Sequence, residues 1–172
     1  EVRRETVDSA TLVIKPGWGF SFDYAPGQYI GIGVLMEGRW AWRSYSLTST
    51  PDSSANDKTI SITVKAMPDG LVSQHLVHRA RPGTIIQIDQ ASGDFVLPQS
   101  VPAKVLFLTG GSGITPVMGM LRHRIDAEEA FAADTEHAES AHDIVVLHSA
   151  AHPEDVIFAD ELRSLDATGR IR

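Results

Sequence analysis

The period of the hydrophobic pattern changes once along this chain, near Pro98 and Pro102, and that change constrains the fold more than any other feature. Before it, apolar residues come in short alternating runs: Thr11–Ile14, Gln28–Val34, Arg43–Thr48, Thr59–Lys65 and Thr84–Ile88. Side chains two apart share one face of a strand, so runs of this kind between Gly/Pro/Asp-rich turns predict a closed or sandwiched antiparallel sheet. One segment breaks the alternation. After the turn Pro68-Asp69-Gly70, residues Leu71, Gln74, His75 and His78 fall at helical spacing, and Pro82-Gly83 ends a short helix.

After the change the runs lengthen. Lys104–Thr109 is a continuous apolar run, the pattern of a buried parallel strand, and it leads through a glycine turn into the helical stretch Val117–Ile125. Ile144–His148 reads as a second buried strand and Val156–Leu165 as a second helix, so strand, helix, strand, helix opens a parallel α/β sheet. Such sheets commonly have about four to six strands, and the chain therefore reads as stopping partway through its second unit. Asp126–Asp143, rich in Ala, Glu, Asp and His, reads as a solvated extension of the first helix.

Composition removes several function classes. With 22 acidic against 15 basic residues and no basic block, a nucleic-acid partner is not expected. There is no cysteine, so any disulfide or thiolate-held iron–sulfur cluster must sit elsewhere. No apolar run approaches the roughly 20 residues of a membrane span, and Glu1-Val2-Arg3-Arg4 is no secretory start, which leaves a cytoplasmic location by default. Seven histidines occur without a His-Glu-x-x-His pattern, and no metal site is expected. Trp18, Trp40 and Trp42 are read as barrel packing or rim.

Two segments carry the chemistry. Arg43-Ser44-Tyr45-Ser46 offers a fixed cation for a phosphate, an aromatic face and a small hydroxyl, with Arg43 and Tyr45 on one face of the strand and Ser44 on the other. Gly110-Gly111-Ser112-Gly113-Ile114-Thr115-Pro116 lets backbone approach a diphosphate at the start of a helix, with Pro116 expected at the first helical position.

These segments follow Pro26-Gly27-Gln28-Tyr29 and flank Gly70-Leu71-Val72-Ser73 and Gly93-Asp94-Phe95-Val96-Leu97 in a fixed order, and in that order the chain resembles the ferredoxin reductase superfamily of flavin oxidoreductases. The resemblance implies a six-stranded antiparallel β-barrel with one short helix, binding FAD, over residues 1–101. It implies the first part of a Rossmann-like parallel α/β domain for NADPH or NADH over residues 102–172. By the same resemblance Arg43 contacts the flavin phosphate, Tyr45 packs on the isoalloxazine, and Ser46 hydrogen-bonds near flavin N5. Ser44, Val64, Lys65 and Gly70, Leu71, Val72 and Ser73 complete the flavin site. Gly110, Gly111, Gly113, Ile114, Thr115 and Pro116 receive the nicotinamide cofactor, with Thr115 beside the point where nicotinamide meets flavin. Ser46 and Thr115 are thus the catalytic candidates. Ser149 matches a second nucleotide contact, but Ala151 stands where NADPH-using relatives carry an arginine, which leaves NADPH and NADH both open.

The activity implied is hydride transfer from NAD(P)H to flavin, then single electrons to a ferredoxin-type 2Fe-2S protein or a fused ferredoxin domain serving an oxygenase or desaturase. Two alternatives stand beside it: a reductase module for a haem partner, as in flavohaemoglobins or cytochrome b5 reductase relatives, and a non-catalytic domain that keeps the flavin fold.

Overall fold

The computed structural model describes residues 1–98, 102–134 and 143–172. Its first half holds six strands: β1 (Val2–Thr6), β2 (Ser9–Ile14), β3 (Tyr29–Met36), β4 (Arg39–Ser46), β5 (Ile60–Lys65) and β6 (Gln87–Ile88), with helices α1 (Pro51–Asp57) and α2 (Leu71–His78). They form two antiparallel three-stranded sheets, ordered β1-β2-β5 and β4-β3-β6. The isolated pair Leu47↔Ile62 bridges the sheets, and Tyr29↔Ser92 brings the chain back onto β3. Gln28 reinforces that return by donating through Nε2 to Gly93 O at 3.0 Å. Ile30, Ile32, Val34, Leu47, Ile60, Ile62 and Val64 fill the interior, and α2 closes one end with Val72, Leu76 and Val77. The apolar residues of each alternating run thus turn into one core, while small or polar residues on the other face, Thr11 and Thr63 among them, are buried too.

Several local details differ from the sequence reading. β4 begins at Arg39, because Glu37 and Gly38 both take positive φ (49° and 76°) and make a two-residue hairpin with β3, running Tyr29↔Ser46 to Met36↔Arg39. β1 is an additional strand, and the run Thr84–Ile88 contributes only Gln87 and Ile88 to a sheet. α1 is a second helix in this half. Its sequence, Pro-Asp-Ser-Ser-Ala-Asn-Asp, has no apolar stripe, so periodicity is blind to it; capping makes it, with Thr50 Oγ1 accepting from Ser53 N at 3.2 Å and Pro51 in the first turn.

The second half runs β7 (Lys104–Gly110), a 3₁₀ turn (Gly111–Gly113), α3 (Ile114–Asp134), β8 (Asp143–Ser149), a second 3₁₀ turn (Pro153–Asp155) and α4 (Ala159–Ala167). β7 and β8 pair in parallel from Lys104↔Asp143 to Gly110↔Ser149. Ile114, Val117, Met118 and Leu121 of α3 pack with Ile144, Ile157 and Phe158, joined by Phe107 and Val146. Among the described residues only one sheet face is covered in this way. Leu106, Leu108 and Leu147 stand 56%, 70% and 56% exposed on the other, so the run read as fully buried alternates instead. α3 continues through the first part of Asp126–Asp143 to Asp134, residues 135–142 lie outside the described residues, and Asp143 opens β8 instead. Pro116 is the third residue of α3 rather than the first, still in the turn whose N–H groups lack helical partners.

Candidate functional site

The C-terminal end of β4 faces the N-terminus of α3 across a cleft of about 430 Å³. That volume lies within the roughly 300–1,000 Å³ typical of small-molecule sites. Arg43, Ser44, Tyr45 and Ser46 form one wall, Thr63, Lys65 and Met67 the floor, Gly70, Val72 and Ser73 the near end, and Ser112, Gly113, Thr115 and Pro116 the opposite wall. Four consecutive residues of β4 reach the cleft, including Ser44, which strand alternation alone would turn away. β4 is the outer strand of its sheet and both of its faces meet the cleft at that end.

The groups there have defined partners. Arg43 is exposed and anchors one arm by donating from Nη1 to Trp42 O at 2.7 Å. Tyr45 lies half-buried against the barrel core, and that burial pushes its phenol up to about 12, with Arg43 pulling the other way, so the ring is neutral at physiological pH. Lys65 Nζ pairs with Asp8 Oδ2 at 2.5 Å, which holds the ammonium at the cleft floor. Thr63, two residues earlier and on the same face of β5, hydrogen-bonds through Oγ1 to Thr11 Oγ1 at 2.7 Å.

At the near end, Gly70 is the N-cap of α2 and supplies no capping side chain. Ser73 Oγ instead works inside the turn, accepting from Met67 N at 3.1 Å and donating to Gly70 O at 3.0 Å. The result is a rigid turn whose first helical N–H groups have no side-chain cap, an arrangement suited to an anion. Across the cleft, Thr115 Oγ1 donates to Ser112 O at 3.0 Å and fixes the loop to the start of α3. Gly111 sits at φ 51°, and neither it nor Gly113 has any atom within 4 Å of the place a Cβ would occupy. Backbone there is open to close approach by a ligand, and a side chain would fill the space.

Not every predicted residue reaches this cleft. Val64 is fully buried in the barrel core and Ile114 in the core of the second half, while Leu71 stands 70% exposed outside the cleft. Gly110 and Ser149 pair across β7 and β8 at the C-terminal edge of the parallel sheet, next to Gly111. Thr63 and Met67 line the cleft without having been singled out, and Ser112 does so from within the glycine motif without having been given a role; Thr63 was reachable from the two-residue spacing to Lys65, Met67 from no local signal. Trp18 is fully exposed, and Trp40 and Trp42 are partly exposed on the outer face of β4, where Trp42 covers Gly33. Among the described residues, no three His, Asp or Glu side chains converge as metal ligands.

The donor set fits FAD: two cations, an uncapped helix start, a neutral aromatic ring and a serine hydroxyl-bearing strand end share one cleft. The open glycine loop fits the diphosphate of a nicotinamide cofactor.

Comparison with known proteins agrees with that chemistry. Residues 8–97 match the oxidoreductase FAD-binding domain family and residues 107–171 the oxidoreductase NAD-binding domain family. A protein of Mycobacterium tuberculosis named NADPH oxidoreductase is 55% identical over 96% of this chain and 41% of its own length. The ferredoxin reductase component of 3-ketosteroid-9-alpha-monooxygenase from Mycolicibacterium smegmatis is 33% identical over 97% of the chain and 44% of its own length. Among solved structures, the flavohem-like FAD/NAD-binding domain of nitric oxide dioxygenase from Vibrio cholerae superposes with a TM-score of 0.80, at 26% identity, over 99% of this chain and 68% of that one. The chain spans about two fifths of the length of the curated relatives it matches.

Proposed function

Because the chain belongs to the ferredoxin reductase-type flavin oxidoreductases, with their FAD-binding and NAD-binding domains, we propose that it is the cofactor-binding part of a reductase that takes hydride from NAD(P)H and delivers electrons singly to an iron–sulfur acceptor. FAD, when bound, supplies the redox chemistry, accepting two electrons as hydride and releasing them one at a time. The protein supplies position and charge.

The observation that carries this reading is that Arg43–Ser46 of the barrel and Ser112, Gly113, Thr115 and Pro116 of the glycine loop line the same cleft. In the division we adopt, residues 1–101 hold FAD and residues 102–172 begin the NAD(P) domain. Arg43 and Lys65 balance the FAD phosphates, and the N–H groups at Leu71, Val72 and Ser73 bind its pyrophosphate. Val64 and Gly70 contribute backbone, and Tyr45 packs on the ring system. Ser44 lines the same wall. Ser46 hydrogen-bonds the reacting edge, and Thr115 positions the nicotinamide opposite it. Gly110, Gly111, Gly113, Ile114 and Pro116 shape the nicotinamide cofactor's diphosphate seat, with Ser149 at its edge. Holding donor and acceptor in one dry, oriented cleft is the main contribution a protein makes to hydride transfer.

The electron acceptor is a ferredoxin-type 2Fe-2S protein or domain, as the name of the monooxygenase ferredoxin reductase relative suggests. Among the described residues no helix is long and apolar enough to cross a membrane, and we place the reductase in the cytoplasm. The donor is NADPH, after the 55% identical relative, or NADH, for which Ala151 leaves room.

An absorbance spectrum of the purified full-length protein, followed by anaerobic titration with NADPH and with NADH, tests the reading. Flavin absorption bleached by one of the two is expected; a protein that stays colourless after reconstitution with FAD overturns it. Reduction of a 2Fe-2S ferredoxin, but not of a haem protein, is the expected second step. The reverse result would assign the chain to a haem-directed reductase.

A further inference from the structure

One stripe of α3 starts at Thr115 in the cleft and continues through three residues that have no part in the proposed cofactor sites and yet meet the barrel side at each turn. Thr115, Gly119, Arg122 and Asp126 are spaced four, three and four residues apart, the spacing of a single helix face. Each of the last three meets the segment that follows Ser46. A Cβ on Gly119 would stand 2.6 Å from Leu47 O, so only glycine lets the helix lie this close. Arg122 Nη1 donates to Thr48 O at 2.6 Å. Asp126 Oδ2 accepts from Thr50 Oγ1 at 3.0 Å, the same hydroxyl that caps α1. The helix and the segment Leu47–Thr50 therefore run side by side in register, one contact per turn.

Arg122 is also held from behind. Its Nε and Nη2 donate to Glu161 Oε1 and Oε2 of α4 at 2.7 and 2.5 Å, a two-pronged pair, and its guanidinium lies 5.0 Å from the centre of the Phe158 ring. The fork and the stacking together fix the plane of the guanidinium, and that orientation turns Nη1 toward Thr48 O. Arg122 and Glu161 are partly buried, so the pair is less screened than a surface pair.

We propose that Gly119, Arg122 and Asp126, with Glu161 as the clamp, are positioning residues that set the separation between Thr115 and Ser46. The proposal rests on the function assigned above. Two helical turns separate Thr115 from Arg122, and two residues of chain separate Ser46 from Thr48, so an error at the Arg122 contact is carried directly into the cleft. Displacement of a reacting pair by about 1 Å costs on the order of 100-fold in rate.

The test uses full-length protein loaded with FAD, in the wild type and in Arg122→Ala, Arg122→Lys and Glu161→Gln, with Arg163→Ala as a control because Arg163 pairs only at the exposed surface of α4 with Asp160. Two quantities are read: the rate of flavin bleaching at saturating nicotinamide cofactor, and amide exchange across Leu47–Thr50 in FAD-free protein. Arg122→Ala is expected to slow bleaching about tenfold to 100-fold, leave FAD affinity and cofactor affinity unchanged, and speed exchange at Leu47–Thr50. Arg122→Lys, which keeps the charge and loses the fork, should recover only part of both. Exchange that speeds up while the bleaching rate stays at the wild-type value would overturn the proposal and leave the stripe a structural joint. Should Arg122→Ala fail to fold, Glu161→Gln carries the same test, and an unchanged rate there overturns it equally. A wild type that never bleaches removes the assigned function, a failure distinguishable from loss of the exchange effect alone.

Discussion

In the barrel half, β3 is buried without a break from Ile30 to Val34 and the cleft groups already have partners: Lys65 with Asp8, Ser73 with Met67 and Gly70, Arg43 with Trp42. In the nucleotide half, β7 and β8 leave Leu106, Leu108 and Leu147 exposed, and the loop at Gly111–Gly113 has open space in front of it. The barrel side is organised before any ligand arrives, so little ordering is left to oppose FAD binding. The loop side presents bare backbone at Gly111 and Gly113. Under the function proposed above, that difference fits a retained FAD on one side and an exchanging nicotinamide cofactor on the other.

The sharpest way to break that contrast is in the cores. Ile62→Ala, at a fully buried position between the two barrel sheets, should cost about 3 kcal/mol by loss of contacts and a residual cavity. Denaturant unfolding of the 172-residue chain measures it, and a loss under about 1 kcal/mol would mean the barrel core is looser than its packing implies.

Next comes the ligand. If Arg43 contacts the flavin phosphate as proposed, Arg43→Ala should cost about 2 kcal/mol, which is roughly 30-fold in FAD affinity by titration of the flavin-free protein. Retained affinity would move the phosphate contact to Lys65.

A smaller effect separates the halves by pH. His148 on β8 hydrogen-bonds through Nδ1 to Thr109 Oγ1 at 2.7 Å, while Nε2 is buried with no partner among the described residues. Burial lowers its pKa below the ordinary 6.5. The unfolded chain then binds the proton more readily than the folded one, so stability is full above pH 6.5 and declines as the pH falls through and below that value. His148→Asn should flatten this slope in unfolding experiments run from neutral to mildly acidic pH. An unaltered slope would place the acid sensitivity elsewhere.

The smallest change is expected on the bare sheet face. Leu108→Ser should alter stability of this chain by no more than about 0.5 kcal/mol, as at other exposed positions. A cost near that of Ile62→Ala would show that this face is covered in solution and would erase the contrast between the halves.

Much of this was legible in the sequence because it is local. Arg43–Ser46, Gly70–Ser73 and Gly110–Pro116 announce themselves by residue type and order, and the switch from alternating to continuous apolar runs separates the two architectures. What escaped was set by distance or by capping. α1 is made by Thr50 and Pro51 rather than by a stripe, and β4 extends back to Arg39 because Glu37-Gly38 turns it onto β3. The stripe Gly119, Arg122, Asp126 is visible as a helix face, but its neighbour Leu47–Thr50 lies about seventy residues earlier and no periodicity names it. Ile114 lies within the glycine motif and Val64 was placed in the flavin site by resemblance, and both are buried in cores, because a motif marks a backbone position and packing decides the side chain.

The pair Tyr29↔Ser92 has a consequence in time. All the strand pairs described for the barrel join residues between Val2 and Ser92, so its pairing partners have all been synthesised before β7 begins. Domains fold as units from the N-terminus during synthesis. The barrel's described strand pairing therefore closes within a stretch of chain that precedes Ser112–Pro116, and α3 has only to dock on Leu47–Thr50, a segment whose own pairing does not depend on it.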